Sequence, residues 1–349
     1  MRLPAPLSRL LERFGPWLLP LAAIGAFWEL VGGGWDINSH LRRLPEFFWT
    51  PPHIALYSGA AFVLLTTGAA YALRWTSSVP PASQRFASAI AFGGAALQFV
   101  AGGFDSWWHA TYGPDDAFSP PHILLTSAIL ITAIGVVVAL HAWRRTARPT
   151  GRLGTFAWVS HAIGVTAIAW AAWGFLFILL FPGFNAGRPL IPSEGLRLFT
   201  GAAYASLFPM MLLAAVRVVG RRGAATVSAT TQFFGFYLIQ SFLGEAPGGL
   251  VIGLGIVVFV LPGVAADFLY RPGTKWADYV AIGFGAVLGL WGFLAGGIVD
   301  DMTRPDTWPV PFALAFVAGG VAGALLAMML GERTDGLAAR DSGPSPTPA

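Results

Sequence analysis

The sequence predicts an all-α membrane protein of about ten transmembrane helices arranged as tandem helix hairpins, with N and C termini cytoplasmic. Three observations predict it. Of 349 residues, 55% are hydrophobic and only 11% are charged, against a soluble average of roughly 25% charged. The charges are segregated, leaving apolar runs of roughly 18 to 25 residues, long enough to cross a hydrocarbon core ~30 Å thick. Lys and Arg also crowd into alternate loops, as the positive-inside rule requires.

Taken in order, the apolar runs place helices at roughly 16–34, 54–75, 86–104, 122–145, 154–181, 197–218, 227–244, 248–270, 277–299 and 310–330. Sorting the basic residues by the loops between them puts sixteen on one side, among them Arg9, Arg13, Arg85, Arg144, Arg145, Arg221 and Lys275. The other side holds five: Arg42, Arg43, Arg188, Arg197 and Arg304. The protein is therefore expected in the cell (inner) membrane as a multi-pass chain, and the formal charge of +4 reports topology rather than nucleic-acid binding. The first helix follows basic residues but exceeds signal-peptide length and has no small-residue cleavage site, so it is expected to be a retained anchor. Tryptophans such as Trp17, Trp35, Trp49, Trp143 and Trp276 fall near helix ends, as an interfacial belt does.

Residues 1–150 stand apart because they contain an internal duplication. A shift of 69 residues aligns Gly33-Gly34-Trp35-Asp36-x3-His40 with Gly102-Gly103-Phe104-Asp105-x3-His109. The same register aligns Pro51-Pro52-His53-Ile54 with Pro120-Pro121-His122-Ile123, and between Gly33 and Ser58 eleven of twenty-six positions are identical. Each unit is a helix hairpin beginning on the same side, so the repeats are parallel. Residues 151–331 are expected to form further transmembrane hairpins. Two weaker echoes of the unit lie there, Gly296-Gly297-x2-Asp300 before Trp308 and Pro192-Ser193-Glu194. The tail 332–349 is polar and rich in Pro, Ser and Gly, a composition that stays disordered.

Two Asp-x3-His-x12-His sets point to metal binding. Cysteine is absent, so any metal must be held by imidazole, carboxylate or neutral oxygen. Asp36 and His40, four apart, share a face if the helix continues through them. His53 follows two prolines, which a helix tolerates in its first turn. Each copy thus offers one carboxylate and two imidazoles, a set that leaves positions open on an iron, copper or zinc ion. A lone Asp at the centre of a bilayer costs about 2.5–3.5 kcal/mol on insertion scales, and a divalent cation would offset that. Seven residues before the carboxylates lie Glu29 and Gln98, on the same face and two turns deeper, where they would either support a ligand or join two helices by a hydrogen bond. Of the six histidines four are in the motifs; His141 is expected at the cytoplasmic interface and His161 in helix packing.

The stretch Asp105-Ser-Trp-Trp-His109 followed by Asp116-Ala-Phe-Ser-Pro-Pro-His122 resembles the C subunit of the copper membrane monooxygenases, the particulate methane monooxygenase and ammonia monooxygenase group. The resemblance covers roughly residues 25–145. It implies that Asp105, His109 and His122 match that subunit's Asp-type copper site, and that Asp36, His40 and His53 match its second set, where Asp36 stands in place of Asn. The two sets occur in reversed order relative to the family, and roughly residues 150–349 have no counterpart.

These readings together give the expected function: an integral membrane metal-binding protein, with copper as cofactor ahead of iron or zinc. The expectation extends to a monooxygenase subunit or homologue oxidising a small apolar substrate, its metal motifs on the extracytoplasmic side. The expected partners are the lipid bilayer and additional membrane subunits or further copies of the chain, with no nucleic acid. The alternatives are a transporter or metal-handling protein, which small-residue spacings such as Gly319-x3-Gly323 also suit, and a non-catalytic scaffold holding structural zinc.

Overall fold

The computed structural model describes residues 5–42, 44, 49–73, 82–113, 119–180, 194–244, 248–299 and 310–341. Among them there are helices and no strand. In chain order these are α1 (Ala5–Leu41), α2 (Pro51–Leu73), α3 (Ala82–Tyr112), α4 (Pro120–Ala147), α5 (Gly151–Leu180), α6 (Glu194–Ala214), α7 (Ala224–Phe242), α8 (Gly249–Gly255), α9 (Leu261–Leu269), α10 (Ala277–Val299) and α11 (Val310–Asp341). A π turn at Ala215–Val219 prolongs α6, and another at Ile256–Val260 joins α8 to α9 as one rod. Ten rods result, matching the ten apolar runs one for one. Nine helices among the described residues are long and apolar enough to cross a membrane. α7 is outside that number; it carries Thr226, Ser228, Thr230, Thr231, Gln232 and Gln240 among its 19 residues.

The helix ends differ from the sequence expectation in a way that matters. Hydropathy ends the first and third helices at about 34 and 104, because polar residues follow. The backbone instead stays helical to Leu41 and Tyr112, carrying Asp36, His40, Asp105 and His109 on helix rather than loop. The second and fourth helices begin at Pro51 and Pro120, where a missing N–H does no harm, so His53 and His122 sit in first turns. At the far end, α11 runs to Asp341. The stretch from Glu332 therefore begins as helix rather than as the disordered tail expected, and residues 342–349 lie outside the described residues.

α1 packs along α2, and α3 along α4, while α1 also meets α4 and α5. Close approach in the first hairpin depends on Gly32, where a methyl group would run into the backbone of Leu56. Ala22, Ala23, Ala26, Ala91, Ala95 and Ala133 fill the interior of these four helices with small side chains. The later chain departs from simple tandem hairpins. α6 packs chiefly along α11 rather than along α5, and α10 packs along α11. The cause is again small residues. Gly319 and Gly323 of α11 press onto the backbone of Ala202 and Ser206 of α6, the close contact that holds helices together where the solvent is itself apolar.

α7 starts at Gly223, in left-handed backbone with φ 88°, and takes its first-turn cap from another helix. Asp267 of α9 accepts hydrogen bonds from the Ala225 N–H at 3.2 Å, the Thr226 N–H at 2.9 Å and the Thr226 hydroxyl at 2.6 Å. These satisfy amides that a helix leaves unpaired at its start and tie α7 to α9; α7 also packs against α5 and α1. That placement matters for the cavity described below.

Candidate metal centre

Both predicted triads assemble. Asp36 and His40 lie one turn apart at the end of α1, and His53 reaches them from the first turn of α2. His40 Nε2 stands 3.5 Å from Asp36 Oδ2, and His53 Nε2 stands 3.3 Å from Asp36 Oδ1. In the second hairpin, His109 Nε2 and His122 Nε2 stand 3.4 and 3.2 Å from the same oxygen, Asp105 Oδ1. Within each set one ligand atom from every residue lies within 4.8 Å of the others. Two ligand atoms about 2.1 Å from one ion, at 90–110°, stand about 3.0–3.4 Å apart, and the Asp–His spacings of 3.2–3.5 Å are close to that range. Asp36, Asp105 and His122 are buried.

The hydrogen bonding of His109 bears on what its set can hold. His109 Nδ1 lies 3.3 Å from the Gly113 carbonyl oxygen, which can only accept, so Nδ1 carries the ring proton. In the neutral ring Nε2 then presents a lone pair to Asp105 Oδ1, and two acceptors face one another. A positive group between them removes the conflict, either a proton or a metal ion. Metal-bound histidines commonly anchor their second nitrogen to a backbone carbonyl in this way. The donor set therefore fits a divalent metal, with three protein ligands in each set and coordination positions left over.

The two sets are neighbours. The rings of His40 and His122, from different hairpins, lie 5.5 Å apart at 71°, and His109 and His122 lie 6.0 Å apart. Tyr57 sits between the sets: its ring is 6.2 Å from His53 and 5.8 Å from Phe99, and its hydroxyl lies against Gly102, where any Cβ would collide with it. It feels both carboxylates, Asp36 and Asp105. Sequence reasoning missed Tyr57, although its place four residues after His53 puts it on the ligand face of α2.

Glu29 and Gln98 serve each other. Both are fully buried, and Gln98 Nε2 donates to the Glu29 carboxylate at 3.4 and 3.5 Å and lies 3.1 Å from Thr132 Oγ1. Of the two roles open to them, the structure shows the interhelical hydrogen bond. His161 is fully buried. It receives a hydrogen bond at 2.6 Å from Arg144, which also donates to the Val219 carbonyl at 3.2 Å. His141 is buried too, its ring 5.6 Å from that of His161. Asp300, Trp308, Pro192 and Ser193, in the weaker echoes of the motif, lie outside the described residues, as does Asp116.

A cavity of about 390 Å³ opens onto Asp36, His40 and His122. It extends among α1, α4, α5, α6 and α7 as far as Phe259 in the π turn between α8 and α9. Its walls include Leu30, Ile129, Met211 and Phe236, and Gln232 and Gln240 line it as well. Gln232 accepts a hydrogen bond from the Trp170 indole. The sequence marked neither glutamine, though two amides eight residues apart on a helix of an apolar bundle are the kind of polar group that lines a cavity. In comparisons with protein-family models, curated proteins and solved structures, nothing matches this chain.

Proposed function

We propose that the six residues Asp36, His40, His53, Asp105, His109 and His122 hold two metal ions, that the metal is copper, and that the protein is a membrane monooxygenase or a relative of one. The observation that carries this reading is the convergence of two identical Asp-His-His sets to neighbouring positions, with residues of both facing a largely apolar cavity. Imidazole-rich sites favour copper, which heads the Irving–Williams order, and the resemblance of the motifs to the monooxygenase C subunit points the same way.

Copper, when bound, supplies the redox chemistry by which dioxygen is reduced. Hydroxylation of an apolar substrate then consumes one O2, two electrons from an external donor and two protons, and yields the alcohol and water. The chain's own residues contribute the rest. Asp36 and Asp105 neutralise charge and set the imidazole nitrogens, and His109 is oriented through Gly113. The walls of the cavity exclude water and hold substrate beside His40 and His122. Structural zinc accords less well, since structural sites are closed by four protein ligands and each set here has three. A transporter accords less well too, because the cavity leading from the site is apolar rather than lined by charge.

The test is elemental analysis and electron paramagnetic resonance on protein purified in native-like lipid, with incorporation of labelled oxygen from O2 into an added hydrocarbon. Two copper equivalents per chain and labelled alcohol are expected. Protein expressed in copper-replete cells that carries zinc, or no metal, overturns the copper reading. Full copper without labelled product overturns the oxygenase reading.

A further inference from the structure

The cavity's size and shape define a ligand. An apolar cavity of about 150 Å³ takes up benzene, and this one is about 390 Å³, far more than a methane-sized molecule occupies. It is also long. Gln232 and Gln240 both line it, and eight residues of helix at 1.5 Å each set them about 12 Å apart along α7. The Gln240 end is level with the metal centre, since neighbouring Ile239 lies against Gly34 and the Phe242 ring lies 4.6 Å from that of Trp35. The Gln232 end lies deeper in the bundle, where Gly235 meets Phe27. Most of the remaining lining is aliphatic or aromatic, with Asn38, Thr126 and Tyr204 adding polar groups.

We infer that the cavity binds a medium-chain hydrocarbon or its terminal alcohol, of roughly eight to twelve carbons by the volume and length above. The chain lies along α7 with one end against His40 and His122. Oxidation at that end rests on the function proposed above; occupancy of the cavity does not. Gln232 is oriented by the Trp170 indole, which occupies its carbonyl oxygen and leaves its amide N–H groups as donors at the deep end. Gln240 and Asn38 both line the cavity at the end near the metal centre, where an alcohol would be formed.

The experiment uses the full chain in lipid nanodiscs, metal removed by a chelator, and a decanol carrying a photoreactive diazirine. Adducts are mapped by mass spectrometry. Labelling is expected on cavity residues such as Met211 and Phe236, reduced at least fivefold by excess 1-decanol and unchanged by ethanol at the same concentration. Gly174→Leu should reduce it similarly. Gly174 lines the cavity, and open space surrounds the position where its Cβ would stand, so the new side chain fills the cavity without displacing a neighbour. Its metal content, after reloading, should equal that of the parent and serves to show that the variant folds. Adducts confined to outward-facing residues such as Leu65 and Phe86, insensitive to Gly174→Leu, overturn the proposal. Cavity labelling in protein that binds no copper leaves the ligand site standing and removes only the metal chemistry.

Discussion

The imidazole rings of His40 and His122 lie 5.5 Å apart, one from each of the two hairpins that carry the ligand sets. This contact makes the two triads one centre. A change in either set reaches the other through it.

The His109→Ala, His122→Ala double variant should therefore do more than empty one site. It removes both imidazoles that face Asp105, and half of the bound metal should go with them. It also removes the ring against which His40 packs. Loss of a ligand's support typically costs 10- to 100-fold in metal affinity, so the surviving Asp36 set should bind roughly tenfold more weakly than before. Metal analysis after dialysis against a graded chelator series reads both effects. Retention of all metal in the double variant would remove the assignment.

Metal should also stabilise the fold, because the sets are drawn from α1 through α4 and exist only when both hairpins are packed. A ligand at 100 times its dissociation constant adds about 2.7 kcal/mol. For a domain of 150–250 residues each kcal/mol moves the midpoint by about 2–4 °C, so a rise of several degrees in nanodiscs is expected, reversed by chelation. A melting curve indifferent to metal would mean that the ions do not bind the native site.

Glu29 and Gln98 supply a prediction about stability without metal chemistry. Gln98→Leu leaves the buried Glu29 carboxyl without its hydrogen-bond donor. Interhelical bonds of this kind in membranes are worth about 0.6 to 1.7 kcal/mol, and an orphaned buried acceptor costs about 1–3. A loss of about 1–2 kcal/mol is expected by thermal or denaturant unfolding. Glu29→Leu in the same background should recover most of it, since both polar partners are then gone. Metal content should not change; a fall in metal would show that the pair supports the ligands after all.

The ligand sets were legible in the sequence for a physical reason. Asp36 and His40 at i, i+4 must share a helix face, and Pro51-Pro52-His53 must place an imidazole in a first turn, so local geometry brings each triad together. What lay beyond the sequence is tertiary. Hydropathy stopped α1 near Gly34 because it counts Asp36 and His40 as polar, whereas buried partners keep them on the helix. Nothing local tells His40 that its neighbour is His122. Gly319-x3-Gly323 announces a close helix contact but not that the partner is α6, and Gln232 is unremarkable until α7 is seen to face α1 and α5.

Packing of α6 against α11 offers a test away from the centre. Gly323→Leu drives a side chain into the Ser206 backbone, and overpacking of this kind costs about 1–3 kcal/mol or more where backbone cannot yield. The variant should unfold at lower temperature or express poorly, while the folded fraction keeps its metal, because no ligand comes from either helix. Parallel loss of metal in the folded fraction would show that the two halves of the bundle are coupled.

The last prediction concerns sidedness. Asp36, His40, Asp105 and His109 sit at the C-terminal ends of α1 and α3, and His53 and His122 at the N-terminal ends of α2 and α4, so one end of the bundle holds the whole centre. Arg144, donating to His161 and Val219, lies near the C-terminal end of α4, the opposite end of the same hairpin. By the positive-inside rule, the excess of Lys and Arg in the loops at that opposite end is expected to face the cytoplasm, with the centre on the outer side. A reporter fused after Glu46 should read extracytoplasmic and one fused after Arg148 cytoplasmic. In intact cells stripped of any outer barrier, a membrane-impermeant chelator should withdraw the metal, whereas in inside-out vesicles it should not. The reverse pattern would place the centre on the cytoplasmic face and would require the basic loops to serve a purpose other than orientation.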